Sequence, residues 1–242
     1  MGKRSFGNKL VSGLISRIKK SDYSLDEAIS GGELLGIISD RGFMFIRGII
    51  RKPFLKKSDG ILFVGKSVKI QSGKKIRIGS GSTLHSRCRV NALSKSGITI
   101  GRNFTLGPDC IIECSGVISE LGEGLVIGDN VGISAKSFIG VRGSVSIGND
   151  TIIGPYCSIH AENHTFRDMD TLIRQQPSSR KGIEIGSNCW IGAKAVILDG
   201  VKIGNGCIIA AGAVVTKSIP DNSVAAGVPA KVIKVRSKDS TA

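Results

Sequence analysis

The stretch SIHAENHTFRD, residues 158–168, sets His160 and His164 four residues apart among Glu162, Asn163 and Asp168. Imidazole has an unperturbed pKa near 6.5. At neutral pH it can therefore take a proton from a hydroxyl as that oxygen attacks an electrophile, a service worth about 10² to 10⁴ in rate. Such a base works best when a second group holds its ring. Glu162 and Asp168 are candidates to orient His164 or to hold a second reactant, and Asn163 is a further candidate. A backbone carbonyl could orient the ring equally well. His160 directly follows the aliphatic Ile159, so a supporting or substrate-lining role stands beside plain exposure at a corner.

Repetition reveals the elements that position these residues. Ile185, Ile191, Ile197, Ile203, Ile209 and Val215 recur every six residues, and Gly186, Gly192 and Gly204 follow three of them. The same phase runs through Ile100, Leu106 and Ile112, through Ile127, Ile133 and Ile139, and through Ile147, Ile153 and Ile159, with weaker copies near Val64 and Ile78. A period of six fits neither a helix nor a simple alternating strand. It predicts one short strand plus one turn per hexad, three hexads to a triangular coil, and coils stacked about 4.8 Å apart as a parallel β-helix over residues 61–236. The rhythm stops after Ile159 and resumes at Ile185. About 161–183 are therefore expected to leave the coil as an external loop, polar and interrupted by Pro177. Four residues after each aliphatic position comes a second inward site that must be small. Cys88, Cys110, Cys157, Cys189 and Cys207 occupy it, beside Val131, Ser137, Thr151, Ala195, Val201 and Ala213. Cysteines so explained argue against a disulfide framework or a zinc site.

Composition narrows the class. Of 242 residues, 33 are glycine and only 5% aromatic, which favours frequent tight turns over a ring-filled core. The net charge of +15 is concentrated early, with eight basic and no acidic residues in 61–99. This suggests an anionic neighbour such as acidic lipid headgroups, an acidic glycan or a phosphorylated ligand. Nucleic acid is not expected, because no aromatic platform interleaves the cations. No apolar run reaches the roughly 18 residues of a membrane span, and no signal-peptide core opens the chain, so a cytoplasmic protein is expected. Residues 1–60 lack the six-residue rhythm and read as a basic, mainly helical segment, with Gly31 and Gly32 dividing short helices and Ser24 a candidate N-cap. Within it FMFIRGIIRKPFLKK admits two readings: a helix packed on the first coil, or a peripheral contact with the anionic inner face of the cytoplasmic membrane. Residues 237–242 read as a flexible tail.

The tandem hexads, the segment SNCWIGAKAVILDGVKIGNGCIIAAGAVVTKSIPDNSVAAGVPAKVIK (187–234) and the histidine heading a loop resemble the hexapeptide-repeat acyltransferases. Within that family the chain is most similar to the branch of maltose and galactoside acetyltransferases and bacterial surface-polysaccharide O-acetyltransferases. The resemblance implies a left-handed coil, a homotrimer with sites between subunits, acetyl-CoA as donor, no metal, and His164 as general base in direct transfer within a ternary complex. It implies that Trp190 lies along the pantetheine arm, that Ala193 and Ala211 line the same groove, and that Thr216, Lys217, Lys231 and Lys234 meet the nucleotide end of CoA. The soluble-sugar members carry an asparagine where Ser134 and Lys136 stand here, which turns the expectation toward a polysaccharide or its lipid-linked precursor. Alternatives are N-acylation of an amino-sugar nucleotide, acetylation of a small molecule such as an antibiotic or soluble sugar, and a non-catalytic scaffold. A zinc carbonic anhydrase of this fold is disfavoured, since His85 and His160 fall roughly three coils apart.

Overall fold

In a computed structural model, residue 26 and residues 28–237 are described. Ser24 lies outside them. Helix α1 spans Gly31–Arg51 and is opened by a capping box in which Ser30 Oγ accepts from Glu33 N while a Glu33 carboxylate oxygen accepts from Ser30 N. Gly31 and Gly32 thus form the first helical turn, because the box supplies the start signal that the glycines lack. Gly48 lets the helix approach the coil: a Cβ there would stand 1.8 Å from the Leu62 carbonyl oxygen.

From Lys57 onward the chain winds a parallel β-helix with three faces. Face A runs from Lys57–Ser58 through Val145–Ile147 and Ile183–Ile185 to Lys202–Ile203. Face B runs from Leu62–Val64 through Ile152–Ile153 and Trp190–Ile191 to Ser223–Gly227, which pairs antiparallel with the last strand, Ala230–Val235. Face C runs from Lys69–Gln71 through Ser158–His160 and Val196–Leu198 to Val214–Val215. The register confirms the hexads: Ile185 pairs with Ile203, Ile191 with Ile209 and Ile197 with Val215, eighteen residues on each time. Where residues leave the coil, the register skips them. Ile153 pairs with Ile191 across the excursion that carries His164, and Ile100 pairs with Ile127 across a second one at 114–124 that the six-residue pattern did not mark.

The core is a column of inward aliphatic side chains, with Phe104 the one fully buried ring in it among the described residues. The small inward cysteines do more than fit. Cys88, Cys110, Cys157, Cys189 and Cys207 each aim their thiol at a turn carbonyl of the following coil, at 2.9–3.1 Å, and Thr151 Oγ1 does the same toward Gly186 O at 2.9 Å. A weak donor at that position gives the turn carbonyl a hydrogen bond that a wholly apolar side chain could not make.

Candidate active site

His160 closes the strand Ser158–His160, and alternation places Ser158 and His160 together on the outer side of face C. Ser158 Oγ and His160 Nε2 are 2.6 Å apart. The ring lies against Phe138 with centroids 5.5 Å apart, one face packed and the edge open to solvent. Partial burial lowers its pKa, because the imidazolium loses hydration there.

Four residues on, the chain has left the coil. Asn163–His164 pairs antiparallel with Ser178–Ser179, so the excursion expected from sequence to be irregular contains a two-stranded ribbon, its first strand exposed and its second half-buried. His164 is exposed on this ribbon, and among the described residues its ring has no hydrogen-bond partner. Asn163 beside it is likewise exposed, with no side-chain partner among the described residues, whereas the neighbouring charged groups are engaged elsewhere. Glu162 accepts from Arg142 Nε at 2.6 Å and lies 3.3 Å from Arg180 Nε. Arg142 also donates to the Glu120 carbonyl, and Arg180 donates to the Glu120 carboxylate at 2.6 Å. Asp168 accepts from Thr171 Oγ1 at 2.6 Å and from Asp170 N, bonds that hold its carboxyl below the usual range. The buried Gln176 donates to the carbonyls of Asp168 and Thr171. Asp199, at the turn after Val196–Leu198, accepts from Gly182 N, Lys181 N and Ser179 Oγ where the loop returns to the coil. No hydrogen bond or ion pair joins Glu162 or Asp168 to His164. Both carboxylates fasten the loop that presents it.

On face B, Trp190 is in register with Ile152 below and Ile208 above, and it is 53% exposed. Its outward ring therefore forms the middle of an apolar stripe that water meets directly. Ala193 sits at the next corner of the same coil and Ala211 at the corner above. A Cβ on Gly192 would stand 2.5 Å from Ala211 N, so these corners stack without side chains between them. The histidine loop leaves from the far end of face C, around the prism from Trp190.

Across 145 residues the chain is 36% identical to the putative lipopolysaccharide biosynthesis O-acetyl transferase WbbJ of Escherichia coli, covering 57% of this chain and 71% of that protein. The chain belongs to the hexapeptide-repeat acyltransferase family. Residues 182–217 match the family model described as bacterial transferase hexapeptide (six repeats). The galactoside O-acetyltransferase of Escherichia coli is 33% identical over 60% of this chain and 68% of its own length. The crystal structure of AntD, an N-acyltransferase from Bacillus cereus in complex with dTDP and 3-hydroxybutyryl-CoA, shares the fold with a TM-score of 0.53 at 18% identity, over 79% of this chain and 89% of that one.

The other positions singled out by the family resemblance are spread over the prism. Ser134 and Lys136 are exposed at the corner between faces B and C, and the Lys136 ammonium lies 5.4 Å from the centre of the Tyr156 ring. Thr216 and Lys217 are exposed at the corner that follows Val214–Val215 on face C, whereas Lys231 and Lys234 are exposed on Ala230–Val235 at the edge of face B. One protomer therefore does not gather Trp190, His164 and these cations into one pocket. His85 and His160 lie three coil steps apart and at different corners, a separation of about 14 Å along the axis alone. The residues missed from sequence are Glu120, Arg142, Arg180, Gln176 and Asp199. Asp199 stands inside a regular hexad with nothing in the repeat to single it out, and the others lie in loops and at a corner between hexads.

Proposed function

We propose that this acyltransferase moves acetyl from acetyl-CoA to a sugar hydroxyl of a bacterial polysaccharide or its lipid-linked precursor, as a homotrimer with sites between subunits. The observation that carries the reading is an exposed, unpartnered imidazole on a ribbon that Glu162, Gln176 and Asp199 hold in place from its two sides. A base held at its backbone but free at its ring can meet an incoming hydroxyl without first breaking a bond of its own. Acetyl-CoA supplies the acyl group as a thioester, already activated toward an oxygen nucleophile. The chain's surface suits such a donor: a flat apolar ring flanked by Ile152 and Ile208 for a thin arm, alanines at the adjoining corners, and exposed lysines for phosphates.

In this reading His164 removes the acceptor proton as the sugar oxygen attacks the thioester carbonyl. When the carbon–sulfur bond breaks, the departing thiolate takes the proton from the imidazolium, and His164 returns to its starting state. No serine nucleophile is required. Sugar-modifying relatives, the Escherichia coli galactoside O-acetyltransferase among them, support a carbohydrate acceptor. Incubating purified protein with acetyl-CoA and the surface polysaccharide, followed by mass spectrometry, tests this. The expected product carries added acetyl groups removable by mild base, as esters are, and His164→Ala lowers kcat/KM by about 10² to 10⁴. Preferential formation of a base-stable amide, or activity unchanged by His164→Ala, overturns it.

A further inference from the structure

Helix α1 carries more apolar surface than the coil covers. Leu34, Met44 and Gly48 are its buried residues. Leu35, Phe43, Ile46, Ile49 and Ile50 are each more than half exposed, and at 100° per residue they fall on the side opposite Gly48. Phe54, just past the helix, is 64% exposed and continues the stripe. A helix of a water-soluble domain turns its apolar side inward; this one turns a second apolar side outward.

Cations ring the C-terminal end of that stripe. Arg51, Lys56, Lys57 and Lys74 are exposed there, Lys52 donates to the Gly60 carbonyl, and Lys74 donates to the Pro53 carbonyl at 2.7 Å, next to Phe54. The acids nearby are Glu33 and Asp40 toward the start of the helix and Asp59, which is paired with Lys57 at 3.4 Å. The first coils beneath, residues 61–99, contain no acid at all.

We propose that this face docks on an anionic lipid surface, the apolar stripe entering the headgroup boundary and the lysine rim meeting the lipid charges. The charge pattern selects that occupant. A parallel contact with a second copy would set one cationic rim beside another, whereas an anionic bilayer complements both the stripe and its rim. No described helix is long and apolar enough to cross a membrane, so the contact lies in the interface. The proposal does not depend on the acyl-transfer chemistry.

The test uses Ile46→Cys in the full chain, labelled with an environment-sensitive fluorophore; the native cysteines are all buried and leave the new one the accessible thiol. Phosphatidylglycerol vesicles are expected to shift its emission to the blue, phosphatidylcholine vesicles are not, and salt of about 0.5 M reverses the shift. In co-sedimentation the unlabelled Ile46→Asp/Ile50→Asp variant loses at least about tenfold in vesicle binding while acetylation of a soluble acceptor is unchanged. An emission that is apolar before lipid is added and indifferent to vesicles would show the face covered by protein, either a second copy or another part of the chain. That result, or a solvent-like emission with and without vesicles, overturns the proposal.

Discussion

His160 on the coil and His164 on the loop differ in what holds them: the first packs on Phe138 and meets Ser158 Oγ, the second is exposed without a ring partner among the described residues. His160 and His85 both have lowered pKa values, His160 from partial burial and His85 from burial first and the nearby Arg41 charge second. A histidine that resists protonation in the fold but not in the unfolded chain binds fewer protons when native. Stability is then complete above the unfolded value of about 6.5 and declines as pH falls through it toward the folded values. The midpoint of thermal unfolding is accordingly expected to fall between pH 7.5 and 5.5. His160→Phe, which keeps the packing on Phe138 and removes the titration, is expected to make that fall smaller; an unchanged or steeper fall contradicts the assignment. At this scale much was legible in the sequence. A histidine standing where the rhythm stops was visible in the letters alone, and so was the small-residue position filled by cysteines. The use of those thiols as donors was not, because it depends on which carbonyl of the next coil lies above each one. Glu162 and Asp168 have the right type and spacing to serve His164, yet Glu162 is taken by arginines that the fold brings in and Asp168 by Thr171, three residues along its own loop.

Among the elements, the loop from 161 to 183 depends on three braces: the Glu120, Arg142, Glu162 and Arg180 network, the buried Gln176, and Asp199 at its return. The arginine side chains are 12–14% exposed and that of Glu162 is 19% exposed, so these charges interact in partly desolvated surroundings, while Glu120 at 63% remains solvated. Removing one partner leaves another incompletely compensated, at a cost of about 2 kcal/mol after allowing for the exposed end. Arg180→Met is therefore expected to lower the unfolding midpoint modestly and to cut kcat about tenfold through looser placement of His164, with KM for acetyl-CoA unchanged. Arg180→Lys is expected to restore part of kcat. A loss confined to KM for acetyl-CoA would contradict a bracing role. Strand positions from Ile100 to Val215 were readable because every sixth inward residue must be aliphatic; the start of helix α1 was not read, because Gly31 and Gly32 look like a break between helices while the capping box of Ser30 and Glu33 makes them its first turn. The excursion at 114–124 and the loop's ribbon were not readable, since both are fixed by ion pairs and cross-strand bonds between residues far apart in sequence.

Considered as a whole molecule, the prism separates what the chemistry must unite. Trp190 lies on face B, His164 projects from the end of face C, and the cations expected at the nucleotide end are divided between two edges. The proposed homotrimer would resolve this by setting face B of one copy against the loop of the next, each copy giving and receiving the same contacts. The hexads predicted the prism; nothing in their period specifies how prisms associate, because that depends on outward residues the repeat leaves free. The most direct test of the account is a mixed-subunit assay of His164→Ala with Trp190→Ala, each inactive alone. Denatured together and refolded as mixed trimers, they are expected to recover activity from the sites in which an intact His164 faces an intact Trp190 on the neighbour, about a quarter of all sites for random mixing. Mixed trimers that form and stay as inactive as either parent would contradict a site shared between copies with His164 at its centre.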